Sequence, residues 1–224
     1  MKIVYVDEER DQHDEFKRRL KPHIRAKEVE VISVLPSANI NETIDEIISH
    51  FPDVLVCDWQ LNAIKESVKD PIAYSGSELI DEFLKVRQDF PVYLNTALIN
   101  DGIGDEFTKD VNIVFQKSEN MFDESNANNL SLFRKMQIQS NKYKKQITIW
   151  ENELVDLIKK SQNGHPLSDQ EEDRLIELDT KLEGVLDKRC KVPADLKLKK
   201  NTNLLTELIA KTEELLSKVN SNDK

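Results

Sequence analysis

Apolar positions in the first 125 residues alternate between two periods, one of strands and one of helices. Ile3 to Val6 is a short apolar run closed by Asp7, Glu8 and Glu9, and it predicts a first strand. Phe16, Leu20 and Ile24 then recur every four residues, the spacing of one helix face. Val29 to Val34 alternates and is rich in β-branched residues, a second strand. Asn41 is expected to cap the next helix, with Ile44, Ile47, Ile48 and Phe51 as its buried stripe and Pro52 as its stop. The run Val54-Leu55-Val56-Cys57 ends abruptly in Asp58, which describes a buried parallel strand delivering a carboxylate to a sheet edge. Ser77 to Arg87 is again helical, with Leu79, Ile80, Phe83 and Leu84 apolar. Pro91 opens a fourth strand, Val92 to Leu94, that runs out through Asn95, Thr96 and Ala97. A short helix is expected near 103–109, and Val111 to Phe115 is the fifth strand, ending in Gln116 and Lys117.

Strands alternating with helices imply βαβ units and a parallel sheet covered on both faces. Right-handed crossovers bring all five carboxyl ends to one edge. That edge collects Asp7 and Glu8 from the first strand, Asp58 from the third, Thr96 from the fourth and Lys117 from the fifth. Clustered carboxylates repel unless a cation sits among them, and hard oxygen donors suit Mg²⁺. Asp58 could then act as a nucleophile toward a phosphoryl group, with Lys117 and the Thr96 hydroxyl meeting its charge.

Beyond residue 125 the pattern changes. From Leu130 to about Lys160 there is no proline or glycine. Phe133, Met136, Ser140, Tyr143, Ile147, Trp150, Leu154 and Leu157 recur at spacings of three and four, a heptad seam with one polar interruption. Such a helix of about 30 residues spans roughly 45 Å. Asn163-Gly164-His165-Pro166 breaks it, and Ser168 with Glu171 reads as a capping box. Leu175, Leu178, Leu182 and Val185 mark a further helix. Leu205, Leu208, Leu215 and Val219 mark a last one at 202–219. Three stripes with short breaks predict an antiparallel helical hairpin, bundle or coiled coil over residues 126–224, behind an α/β domain at 1–125.

Charge follows the same division. Residues 1–125 hold 14 Lys and Arg against 26 Asp and Glu, a balance of −12, while the remainder stands at +2. The acidic front half is a poor non-specific nucleic-acid binder and suits a cation site. The back half carries neither a helix-turn-helix pattern nor a basic patch, so nucleic acid is not an expected partner. No apolar run reaches the roughly 18 residues of a membrane span, and the start of the chain lacks a signal-peptide pattern. Cys57 and Cys190 fit neither a disulfide framework nor a metal motif, so a cytoplasmic location is expected. Cys57 reads as a small core residue, Trp150 as core or interface, and His165 as a turn residue. No phosphate-binding glycine loop or nucleophile elbow occurs.

In combination, VYVDEE at 4–9, DVLVCDWQL at 53–61, NTA at 95–97 and FQK at 115–117 resemble the receiver domain of two-component response regulators. The resemblance covers residues 1–125. It implies a doubly wound five-stranded sheet of receiver or flavodoxin type, with strand order 2-1-3-4-5. It further implies Asp58 as phosphoacceptor, Asp7 and Glu8 as the acidic pair for Mg²⁺, and the Gln60 carbonyl as a main-chain metal ligand. Thr96 would be the switch hydroxyl and Lys117 the phosphate-contacting lysine. A histidine kinase or phosphotransfer protein would be the phosphodonor, and a protein target or a second copy of the chain would take the output. On this reading the chain is a phosphoacceptor and not an enzyme, beyond self-catalysed phosphoryl transfer and autodephosphorylation. The alternatives are a phosphorylation-independent scaffold and, with less in its favour, a DNA-binding transcription regulator.

Four positions depart from the family pattern. Ser118 stands where proline usually follows the lysine, so a trans bond and a reshaped loop are expected there. Val114 occupies the position of the aromatic switch residue, and the adjacent Phe115 would face the other side of the sheet. Asn62 replaces a proline after the acceptor. The family's following glycine is matched by Gly76, behind an insertion at 63–75.

Overall fold

The computed structural model describes residues 1–62, 71–117, 130–162, 166–187 and 189. The expected helix at 202–219, His165, Ser118, Cys190 and residues 63–70 of the insertion lie outside them. Two compact units are present, Met1–Ile147 and Thr148–Lys224.

The first unit is built on five parallel strands: β1 (Lys2–Val6), β2 (Glu30–Val34), β3 (Val54–Asp58), β4 (Val92–Thr96) and β5 (Val114–Gln116). They lie in the order β2-β1-β3-β4-β5, as the receiver and flavodoxin arrangement requires. Register pairs Val6 with Cys57, Asp58 with Asn95, and Thr96 with Gln116, which aligns the carboxyl ends along one edge.

Strand alternation divides the core in two. Val4, Val6, Leu55, Cys57, Leu94 and Val114 face α3 (Ile40–Ser49) and α4 (Gly76–Val86), from which Ile44, Ile47, Leu79 and Phe83 complete that layer. Ile3, Tyr5, Val54, Val56, Tyr93 and Phe115 face the other way. They pack with Phe16 of α1 (Arg10–Arg19), Leu20, and Leu132, Phe133 and Met136 from the start of α6 (Leu132–Gln162). Val114 and Phe115 are therefore on opposite faces, as strand geometry demands. A short α2 (Lys21–Arg25) follows α1. The ion pair of Lys144 with Asp53 at 2.7 Å and the Phe90–Tyr143 ring contact hold the next turns of α6 to the same unit.

Three local expectations change. The cap of α3 is Asn39, whose side chain accepts from the Asn41 N–H, so the helix starts earlier than the Asn41 reading placed it. Phe51 leaves the apolar stripe: α3 ends at Ser49, and Phe51 follows in a left-handed conformation (φ 51°) and is 71% exposed. A left-handed residue just past a helix end turns the chain away from the face it was following. The short helix after β4 is α5 (Ile99–Gly104), earlier than 103–109, while Val111–Ile113 forms a 3₁₀ turn and leaves β5 three residues long.

In the second unit, the later part of α6 pairs with α7 (Asp169–Leu186), two helices of the expected C-terminal helical region. Arg174 holds Glu153 through two bonds of 2.7 Å, and Lys160 holds Glu171 at 2.6 Å. Lys181 lies over the Trp150 ring, so contacts run in opposite sequence directions along the two helices, which are antiparallel. The seam residues Trp150, Leu154 and Leu157 are half-buried, and Leu178 is fully buried. The Ser168–Glu171 capping box forms as expected. Among the described residues, no helix is long and apolar enough to cross a membrane.

Candidate functional site

Asp7 follows the last residue of β1 and is wholly buried; Asp58 is the last residue of β3 and is 5% exposed. With Glu8 they form a group of three carboxylates whose candidate ligand atoms all lie within 4.8 Å of one another. Lys117, one residue past β5, reaches both aspartates: its Nζ lies 2.9 Å from Asp7 Oδ2 and 3.0 Å from Asp58 Oδ1. Four of the six residues singled out from the sequence thus meet at one point.

Thr96, on the strand beside Asp58, is buried, and its Oγ1 accepts the Leu98 N–H at 2.9 Å. Gly102 of α5 packs against the Thr96 methyl and Val114, so the helix lies close to the position where the family pattern has an aromatic ring. Gln60 is exposed at the start of the segment after Trp59.

Electrostatics follow from burial. Burial pushes the Asp58 carboxyl above its ordinary value; the Lys117 ammonium opposes this and the Asp7 charge adds to it. Burial pulls Lys117 down, but Asp58 and Asp7 together outweigh it and leave the amine raised. Cys57, fully buried beneath Asp58, has its thiol pushed up by burial and by that carboxylate, which keeps it in the unreactive form and fits its reading as a core residue.

Several residues that the sequence did not mark hold this arrangement in place. The Tyr5 hydroxyl donates to Asp7 Oδ2 at 2.7 Å. His13 Nε2 meets the Asp7 main-chain oxygen at 2.8 Å. The Lys117 peptide is fixed at both ends: its N–H donates to Thr96 O at 2.7 Å, and its carbonyl accepts from the Arg19 guanidinium. Trp59 Nε1 donates to Asp105 Oδ2 at 2.8 Å, tying the end of β3 to the residue after α5. Periodicity registers none of these, because a tyrosine in a strand and an arginine at a helix end look ordinary by pattern.

The donor set fits a small divalent cation: hard carboxylate oxygens, gathered and partly desolvated, with more negative charge than Lys117 alone balances. Asp7, Glu8 and Asp58 are the residues that could hold it.

Comparison with known proteins adds little to this geometry. No protein-family model matches the sequence, and no curated protein does. Among solved structures, the anti-anti-sigma factor PhyR from Bartonella quintana is similar at 13% identity and a TM-score of 0.42, over 66% of this chain and 49% of PhyR. The chain spans about half the length of that protein.

Proposed function

We propose that this chain is a phosphoacceptor response regulator in a two-component phosphorelay. The observation that carries the reading is Lys117 Nζ bridging Asp7 and Asp58 inside the trio of carboxylates at the carboxyl edge of the sheet. In the reaction, the N–P bond of a partner's phosphohistidine breaks as an Asp58 oxygen bonds to phosphorus. The partner's imidazole leaves neutral and Asp58 becomes an acyl phosphate. Mg²⁺ held by Asp7, Glu8 and Asp58 would supply charge stabilisation to the phosphoryl oxygens. Lys117, just past β5, and the Thr96 hydroxyl, at the end of β4, would meet the same charge. The chain accepts the group and is not a catalyst acting on a separate substrate. Its helical region carries the change to a protein partner or a second copy.

The test is beryllofluoride or acetyl phosphate with Mg²⁺, read by ¹⁹F NMR and intact mass. An adduct in the wild type that disappears in Asp58→Asn supports the proposal. No adduct under saturating Mg²⁺ and phosphodonor rejects it.

One observation favours a second reading, a phosphorylation-independent interaction module. Val114 offers no ring to swing inward, so the familiar aromatic readout is missing here. Full partner binding by Asp58→Asn would select that reading.

A further inference from the structure

Tyr5 is a buried polar residue among apolar neighbours, and its hydroxyl acts on the candidate cation site. It lies in β1 on the face covered by α1 and the start of α6, packed with Ile3, Phe16, Val56 and Met136. A phenylalanine would fill that place as well. Burying a hydroxyl is unfavourable unless it is hydrogen-bonded, and here it donates to Asp7 Oδ2 at 2.7 Å, with the Asn95 side chain as a second partner. Tyr5 and Asp7 are two residues apart in an extended segment, so their side chains project to the same side.

The phenol has little freedom. Phe16 stacks on its ring with centroids 4.2 Å apart and planes 3° from parallel, and His13 meets it edge-on at 5.3 Å. His13 in turn holds the Asp7 main-chain oxygen at 2.8 Å. A carbonyl oxygen only accepts, so Nε2 carries the proton, and Nδ1 is left buried with no hydrogen-bond partner among the described residues. Asp7 is therefore gripped at its carboxylate and at its carbonyl by two side chains that also touch each other.

The grip has a consequence for ligand atoms. A carboxylate offers about two lone pairs on each oxygen. Among the described residues, Oδ2 of Asp7 accepts from Tyr5 and from Lys117 Nζ, while Oδ1 accepts the Glu9 N–H alone, at 2.8 Å. Oδ1 is the oxygen with capacity left for a cation. We infer that Tyr5, backed by His13, is a positioning residue that occupies Asp7 Oδ2, turns Oδ1 toward the cation, and so sets the affinity of the site. The inference rests on the cation-site reading of Asp7, Glu8 and Asp58 given above.

The experiment is Mg²⁺ titration of the full chain by calorimetry, with thermal melting as the check on folding. Tyr5→Phe removes one oxygen and keeps the ring. Loss of a side chain that orients a metal ligand costs about tenfold or more in affinity, so Tyr5→Phe should bind Mg²⁺ roughly tenfold more weakly. His13→Phe, which keeps an aromatic ring and loses the bond to the Asp7 carbonyl, should shift affinity in the same direction and carries the test if Tyr5→Phe does not fold. Leu20→Val, which opens a small void in the same cluster, should lower the melting temperature and leave Mg²⁺ affinity unchanged. Wild-type affinity in the folded variants overturns the inference and leaves the cation site standing. A loss in Leu20→Val equal to that in Tyr5→Phe also overturns it, because the effect would then be one of packing. A wild-type chain that takes no Mg²⁺ at all overturns the site reading, and this inference with it.

Discussion

Gly76 and Asp58 approach so closely that a β-carbon on Gly76 would lie 1.8 Å from the Asp58 carbonyl oxygen. The Gly76 N–H also donates to the Trp59 carbonyl at 2.8 Å, so the first residue of α4 is pinned against the end of β3. The chain therefore returns to the end of β3 at a glycine. The constraint is space and not a left-handed backbone. Gly76→Ala should push α4 away from Asp58 and cost about 3 kcal/mol, the upper part of the usual range for overpacking. Urea unfolding measures this. A variant as stable as wild type would mean that α4 does not dock on Asp58 in solution.

Lys117 is the counter-charge for two buried carboxylates. Removing one member of a buried ion pair costs about 3–5 kcal/mol, because the remaining charge is stranded. Lys117→Met should lose stability on that scale in a chelator. Excess Mg²⁺ should recover much of the loss by taking over the same carboxylates. An identical loss with and without Mg²⁺ would show that no cation reaches them. The raised amine adds a pH signature: its contribution is fully present below the ordinary lysine value of 10.5 and is lost as pH rises through the higher folded value.

Asp58 has the opposite sign of effect. Its folded carboxyl titrates above the ordinary 3.8, so the native state binds a proton more tightly than the unfolded chain. Stability therefore falls as pH rises from the ordinary value through the folded one. Asp58→Asn removes that penalty. In a chelator, the variant should match wild type in acid, below 3.8, and exceed it at neutral pH. Added Mg²⁺ should close the gap by reversing the local charge balance. Denaturant melts across pH with both proteins decide it. A gap that does not depend on pH would sink the argument.

The sheet was legible in the sequence because buried parallel strands are short, β-branched and separated by amphipathic helices, and Asp7, Asp58, Thr96 and Lys117 stand at or beside strand ends. Strand order then brought Lys117 to both aspartates without further information. What was not legible depends on geometry finer than periodicity. Phe51 fits the apolar stripe of α3 by spacing, yet the helix ends at Ser49 and the residue turns out to solvent. The α5 helix, with Asn100, Asp101 and two glycines, has too weak an apolar pattern to fix its limits. Tyr5, His13 and Arg19 act through hydrogen bonds that link elements, and no spacing rule registers such bonds.

Trp59 and Asp105 offer a route by which the state of Asp58 could reach α5. Trp59 follows Asp58 in sequence, packs on the core, and donates its indole N–H to Asp105 at 2.8 Å. Gly102 places the same helix against Thr96 and Val114. A change at Asp58 therefore meets the C-terminal half of α5 through two contacts, without an aromatic switch. Asp105→Ala should cost about 1.5–3 kcal/mol, the worth of a hydrogen bond to a charged group. It should also speed amide exchange in Ile99–Gly104 and leave that of β1 and β3 unchanged. If α5 is the relay, the exchange difference between free and beryllofluoride-treated protein at Ile99–Gly104 should shrink in this variant while the adduct still forms. An undiminished difference would place the relay elsewhere.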